Sequence, residues 1–247
     1  MHILLLVVVS LAAGIGISAV GPGGVLATIG LYALTALSPA QIAGTAIVTH
    51  VATGAVGTAA YTRSGQLRDP ATRRTAYLLA GVAVLGAPLG VLLNTTLSGR
   101  VFGLLLGVFA VLVAALVWHR DRESSRARTT PTPLTLAVIG FGVAVVSGLL
   151  GLGGPMLAVP LLVAVGQPIL SALAAAQAQS IVVASVGAVG YLVQGDVDWP
   201  LVALVGFPEL AGVVVGWLIA RALPTRTLKY GLIGVLLAVA PYLAWHG

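Results

Sequence analysis

The few charged side chains of this chain are gathered into short segments. Between these segments run apolar stretches long enough to cross a bilayer. A membrane-crossing helix needs about 20 predominantly apolar residues, and such stretches follow one another almost without pause. Of 247 residues only 7% are charged and 59% are hydrophobic. A soluble domain carries about a quarter charged residues, so no water-facing surface can be covered with what is present. Leu4–Val9 and Gly103–Val117 are continuously apolar, whereas the strands of a membrane barrel alternate apolar and polar positions. The fold class expected is therefore an all-α integral membrane protein. Cysteine is absent, which excludes disulfides and thiolate sites. Met1–Gly14 resembles a signal peptide but has no Lys or Arg at its start, and it is read as a retained span.

Polar interruptions at 63–74, 120–128, 194–198 and 221–229 divide the chain. Helices are predicted at about 3–20, 24–37, 40–62, 75–97 and 100–119, then 134–150, 155–166, 169–193, 199–220 and 227–245. The two sets read as copies. A shift of about 130 residues lays Gly21, Gly23 and Gly24 on Gly151, Gly153 and Gly154. It also lays Gly57 on Gly187, Tyr61 on Tyr191, Gly65 on Gly195 and Pro70 on Pro200. After a small deletion, Gly86 and Gly90 meet Gly212 and Gly216. The expected organisation is a first transmembrane repeat over 1–119, a cytoplasmic linker over 120–133 and a second repeat over 134–247.

The formal charge of +6 is distributed as a topology signal rather than as a nucleic-acid surface. The Arg-rich loops 63–74, 120–128 and 221–229 are expected on the cytoplasmic side. The repeat mate of the first of these, 194–198, is acidic and falls on the opposite side. The repeats are thus expected to be inverted, which is a transporter arrangement with its substrate site near the midplane.

Each set opens with a helix, a glycine-rich break and a short helix: Gly21-Pro22-Gly23-Gly24, then Gly151-Leu152-Gly153-Gly154-Pro155. Backbone freed inside a membrane must be satisfied by protein or line a wet cavity. A helix starting there aims its positive dipole end and unpaired N–H groups into that cavity. Two such ends suit a small anion; the plainer alternative is a packed hairpin tip. Ionisable side chains within spans are functional hypotheses by default. His50 and Glu209 are the two, each expected near the midplane as a proton carrier, with His50 also able to face an anion. The plainer roles are an interhelical hydrogen bond for His50 and a cap beside Pro208 for Glu209. Thr45, Thr49, His50 and Thr53 share a helix face, and Gln177, Gln179 and Ser180 occupy equivalent depth in the second copy. These groups suit an oxyanion but also serve as glue between helices. Asn94, Thr95 and Thr96 read as caps, and Trp118, Trp199, Tyr242 and Trp245 as interface anchors.

The glycine breaks, Gly44-Thr45-Ala46, Tyr61-Thr62-Arg63-Ser64-Gly65, Gly86-Ala87-Pro88-Leu89-Gly90 and Gln194-Gly195-Asp196-Val197-Asp198-Trp199 resemble the sulfite exporter TauE/SafE family over nearly the whole chain. That resemblance implies transport of small sulfur-containing anions or organosulfonates across the cytoplasmic membrane. A secondary carrier for a small anion is the leading expectation, with the lipid bilayer as environment and a homodimer possible. A channel and a non-transporting accessory protein are the alternatives. No phosphate-binding Gly-x-x-x-x-Gly-Lys loop, His-Glu-x-x-His helix or Gly-x-Ser-x-Gly motif occurs, so neither an ATP-driven machine nor an enzyme is expected, and no cofactor or metal.

Overall fold

A computed structural model describes residues 2–19, 21–119, 131–222 and 234. Its elements are helices α1 (His2–Ala19), α2 (Val25–Leu34), α3 (Pro39–Arg63), α4 (Pro70–Asn94), α5 (Gly99–His119), α6 (Pro133–Leu150), α7 (Pro155–Ala164), α8 (Ile169–Gln194) and α9 (Trp199–Ala222). The described residues contain no strand. Among the described residues, six helices (α3, α4, α5, α6, α8 and α9) are long and apolar enough to cross a membrane. The chain is a multi-pass membrane protein. Large apolar side chains such as Leu85, Val138 and Phe207 point outward, as lipid contact requires rather than as an aqueous surface would allow.

The boundaries follow local chemistry. Ser38 caps α3, accepting from the Gln41 N–H while the Gln41 side chain returns to the Ser38 N–H. α4 begins at Pro70, earlier than the expected 75, because Asp69 caps it and proline is tolerated at a first helical position. The Asp69 carboxylate accepts from the Thr72 N–H and hydroxyl, both at 2.8 Å. Those bonds, the backbone one first, hold its pKa below the ordinary carboxylate value. The expected helix at 227–245 and the loops 120–128 and 223–229 lie outside the described residues.

The two short helices, of 10 residues each, are too short to span a bilayer unaided. Gly30 on α2 lies against Leu6 and Val9 of α1, while Gly23 lies against Ala13 and Gly16. α2 therefore runs back antiparallel to α1, and the pair is a re-entrant hairpin with the first break at its tip. The second unit does the same from the other end. Pro133, where α6 starts, and Gly166–Pro168, just beyond α7, line one shared cavity with Asp69 and Arg74. Gln167 donates to Thr75 there, at 3.1 Å. At the opposite end, Asn94 reaches Leu149 and the Asp198 N–H donates to Thr45.

Beside the packing of α4 on α8, three joints hold the bundle: α4 on α6, α1 on α9, and the central α3 on α8. Gly44 on α3 faces Tyr191 and Asp196, Gly54 faces Ile181, and Gly57 faces Gln177, so α3 and α8 run antiparallel. The other two joints are glycine seams. A Cβ at Gly90 would strike the Val145 carbonyl, and one at Gly212 the Leu11 carbonyl. α5 lies across both short helices.

Gly212→Ala should lower stability by about 1–3 kcal/mol, since overpacking forces two backbones apart. Gly81→Ala, which meets nothing within 4 Å, should be neutral or gain up to about 1 kcal/mol. Thermal unfolding in detergent distinguishes them. In the same assay Asp69→Ala should destabilise at pH 7 and have a progressively smaller effect as pH falls below about 3.8. A depressed carboxylate pKa contributes stability above the unfolded value, and that stability disappears as pH falls through the folded one.

Candidate functional site

The two hairpin tips meet at His50. A Cβ on Gly24 would stand 2.5 Å from His50 Nε2, and one on Gly153 would stand 2.9 Å from His50 Cδ2. Glycine at both positions lets backbone close on the imidazole from two sides. The Gly154 N–H donates to Ser180 Oγ at 3.3 Å, so the repeat mate of His50 anchors the second tip. Gly21 holds φ +107°, a conformation that excludes other residues in practice.

His50 Nδ1 lies 2.7 Å from the Ala46 carbonyl oxygen. A carbonyl only accepts, so Nδ1 carries a proton and Nε2 is the nitrogen left to face Glu209. Nε2 lies 3.5 Å from Glu209 Oε1. Both residues are buried, Glu209 completely. Neither Nε2 nor either Glu209 oxygen has a hydrogen-bond partner. One proton between the two groups leaves the pair neutral; losing or gaining a proton leaves a net charge deep in the protein. The two side chains are thus placed to share one proton.

A cavity of about 10 Å³ adjoins the pair, lined by Gly21, His50, Thr53, Gly153, Gln177 and Ser180 together with Ile17, Pro155 and Met156. That is about the least room that admits one water. A cleft of about 570 Å³ shares Ile17, Thr53 and Gln177 with it and runs to Tyr61, Arg63 and Ser64 at the end of α3. The site is therefore approached from the face that carries Arg63. Glu209 lines neither cavity, which puts it behind His50 as seen from the cleft.

The remaining sequence candidates are dispersed. Gly23 is packed on α1, and Gly151, at φ +68°, on the Ala43 backbone. Thr45 accepts from the Asp198 N–H, away from the cavity. Thr49 donates to the Ala46 carbonyl and lies against Gly206 of α9, on the Glu209 side. Gln179 donates to the Gly140 carbonyl at 2.8 Å and ties α8 to α6. The His50–Glu209 pairing went unforeseen, because the residues are 159 positions apart and only packing brings them together. Met156 went unnoticed as one more apolar residue. Thr53 carried a signal, its three-residue spacing from His50.

The family model for the sulfite exporter TauE/SafE matches residues 6–243. The chain belongs to the sulfite exporter TauE/SafE family. Among relatives, it is 24% identical over 233 residues to YdhB of Bacillus subtilis (strain 168), described as a probable membrane transporter protein. That match covers 92% of this chain and 94% of the relative. No solved structure matches the chain. TauE/SafE proteins are membrane transporters, and in this member the two glycine breaks and the polar stripe of α3 converge on one buried histidine–glutamate pair.

Gly24→Ala and Gly153→Ala should each displace the imidazole and break the pairing while the protein still folds. The expected readout is a shift of both ring ¹⁵N resonances of His50 by NMR. Gly142→Ala, which meets nothing within 4 Å, should leave both unchanged.

Proposed function

We propose that this protein is a secondary transporter that moves a small sulfur oxyanion or short organosulfonate across the cytoplasmic membrane, coupled to a proton on His50 and Glu209. The observation that carries this reading is the meeting of both re-entrant tips and His50 at one cavity, reached from one face by a cleft with Arg63 at its mouth. Glycine tips offer main-chain N–H groups, Ser180 and Gln177 offer neutral donors, and protonated His50 offers a positive charge. Such a set holds an oxyanion without trapping it. The names of the family and of the relative point the same way.

In this reading the two halves are inverted repeats working by alternating access. Three observations support it: equivalent helices α3 and α8 run antiparallel, the re-entrant hairpins enter from opposite ends, and the glycine seams pair reciprocally between halves. The cleft-bearing face, with Arg63, Arg68, Arg73 and Arg74 in its first loop, is the cytoplasmic one under the positive-inside rule. A carrier is favoured over a channel, since the route narrows to about 10 Å³ at His50.

A thermal-shift screen of sulfite, sulfate, thiosulfate, short sulfonates and carboxylates tests the proposal. One anion class should stabilise the wild type more at low pH than at high pH, because a protonated His50–Glu209 pair favours the anion. Glu209→Gln should change that pH dependence. If no anion shifts stability at any pH, the anion-site reading fails.

A further inference from the structure

The open cleft has a closed counterpart. Shifting its lining by the repeat register carries Thr53, Gly57 and Tyr61 of α3 onto Val183, Gly187 and Tyr191 of α8. It carries Ser18 of α1 onto Gly148 of α6, and Gln177 of α8 onto Ile47 of α3. In the structure these mates are packed together. Ile47 fills the space over Gly187, Val91 of α4 fills that over Gly190, and Val183 packs with Ala83, Ala87 and Ala144. The same register therefore makes a cleft of about 570 Å³ between α1, α3 and α9, and a solid seam between α6, α8 and α4.

The two ends differ as well. The cleft runs to Arg63 and Ser64 at the end of α3. The seam runs to the ends of α4, α6 and α8, beside the turn at 195–198. Its closure is held by polar contacts of one kind. Tyr191 Oη donates to the Gly148 carbonyl at 2.7 Å, and Asn94 Nδ2 donates to the Leu149 carbonyl at 2.6 Å. Both carbonyls belong to the last turn of α6, where helix geometry leaves them without intrahelical partners. The Asn94 Oδ1 atom beside these contacts is buried without a partner. A permanently dry joint would carry a cost for it, whereas a joint that opens to water satisfies it in its other state.

We propose that the seam between α6 and the α4–α8 pair is the second passage of the transporter, closed in this structure, and that Tyr191 and Asn94 are its latch. It opens toward the 195–198 face when the cleft at Arg63 closes. This inference rests on the transport reading above. It adds the route by which the anion leaves the cavity on the far side. The passage is apolar where the cleft is polar, with Val183 for Thr53 and Ile47 for Gln177. Its resting state is thus a hydrophobic seal.

The chain's lack of cysteine makes the test clean. Val183→Cys in lipid vesicles is labelled with a membrane-impermeant thiol reagent added from the 195–198 face. Tyr191→Phe, which keeps the ring and removes the bond, should speed labelling by about 2- to 10-fold, the equilibrium value of one hydrogen bond. An unchanged rate overturns the latch. In a second arm, Val91→Cys with Gly190→Cys is oxidised. The two Cβ atoms would lie 3.5 Å apart, within disulfide reach. The reduced pair should move sulfite at the parent rate and the oxidised pair should stop; equal transport in both forms overturns the passage. If the parent itself moves no sulfite or short sulfonate, the transport reading has failed, and the labelling arm alone still decides whether the seam opens.

Discussion

Inside a bilayer, a main-chain group that leaves its helix has no water to turn to, and each one left bare costs several kcal/mol. A chain that interrupts two of its helices in the apolar interior must therefore bring each interruption to protein that can receive it. Here the interruptions at 21–24 and 151–154 are received by one another and by the central helices. Thr28 donates to the Gly151 carbonyl, the Gly154 N–H donates to Ser180, and the Gly21 N–H returns to the Gly16 carbonyl. The rest of the arrangement follows from that demand. The breaks have to meet, so α1–α2 and α6–α7 fold back from opposite ends, and α3 and α8 have to stand between them with small or polar residues at the meeting point.

Much of this was legible in the residues. Apolar runs gave the helices and their ends to within a few positions, and the register of Tyr61 on Tyr191 and Gly86 on Gly212 placed equivalent joints. The breaks were visible because glycine and proline punctuate the backbone whatever surrounds them. What could not be read was direction after a break. Ten residues of α2 are as apolar going back as going on, and only the seating of Gly30 on Leu6 and Val9 shows the return. Thr45 and Gln179 misled for a related reason. A polar side chain on the correct face and at the correct depth can serve a ligand or a neighbouring carbonyl, and helix periodicity does not say which. Asn94, read as a cap, does cap a helix, but the helix is α6 rather than its own.

In the proposed repeat register the two halves differ in chemistry: His50 has Ser180 for a mate, Gln177 has Ile47, and Glu209 has Ala83. A second buried ionisable pair would add another desolvation cost. At these positions polar groups lie on the cleft side, while the seam side carries alanine, valine and isoleucine with Tyr191 and Asn94 at its end.

Glu209 sits in the α1–α9 joint, with the Glu209 carbonyl pressed against Gly14 of α1. The matching joint between α4 and α6 has an alanine at that place. Under the proposed proton coupling, a charge change at the buried pair would be felt at the α1–α9 joint and not at its α4–α6 counterpart. The same proton would then load one side of the molecule alone.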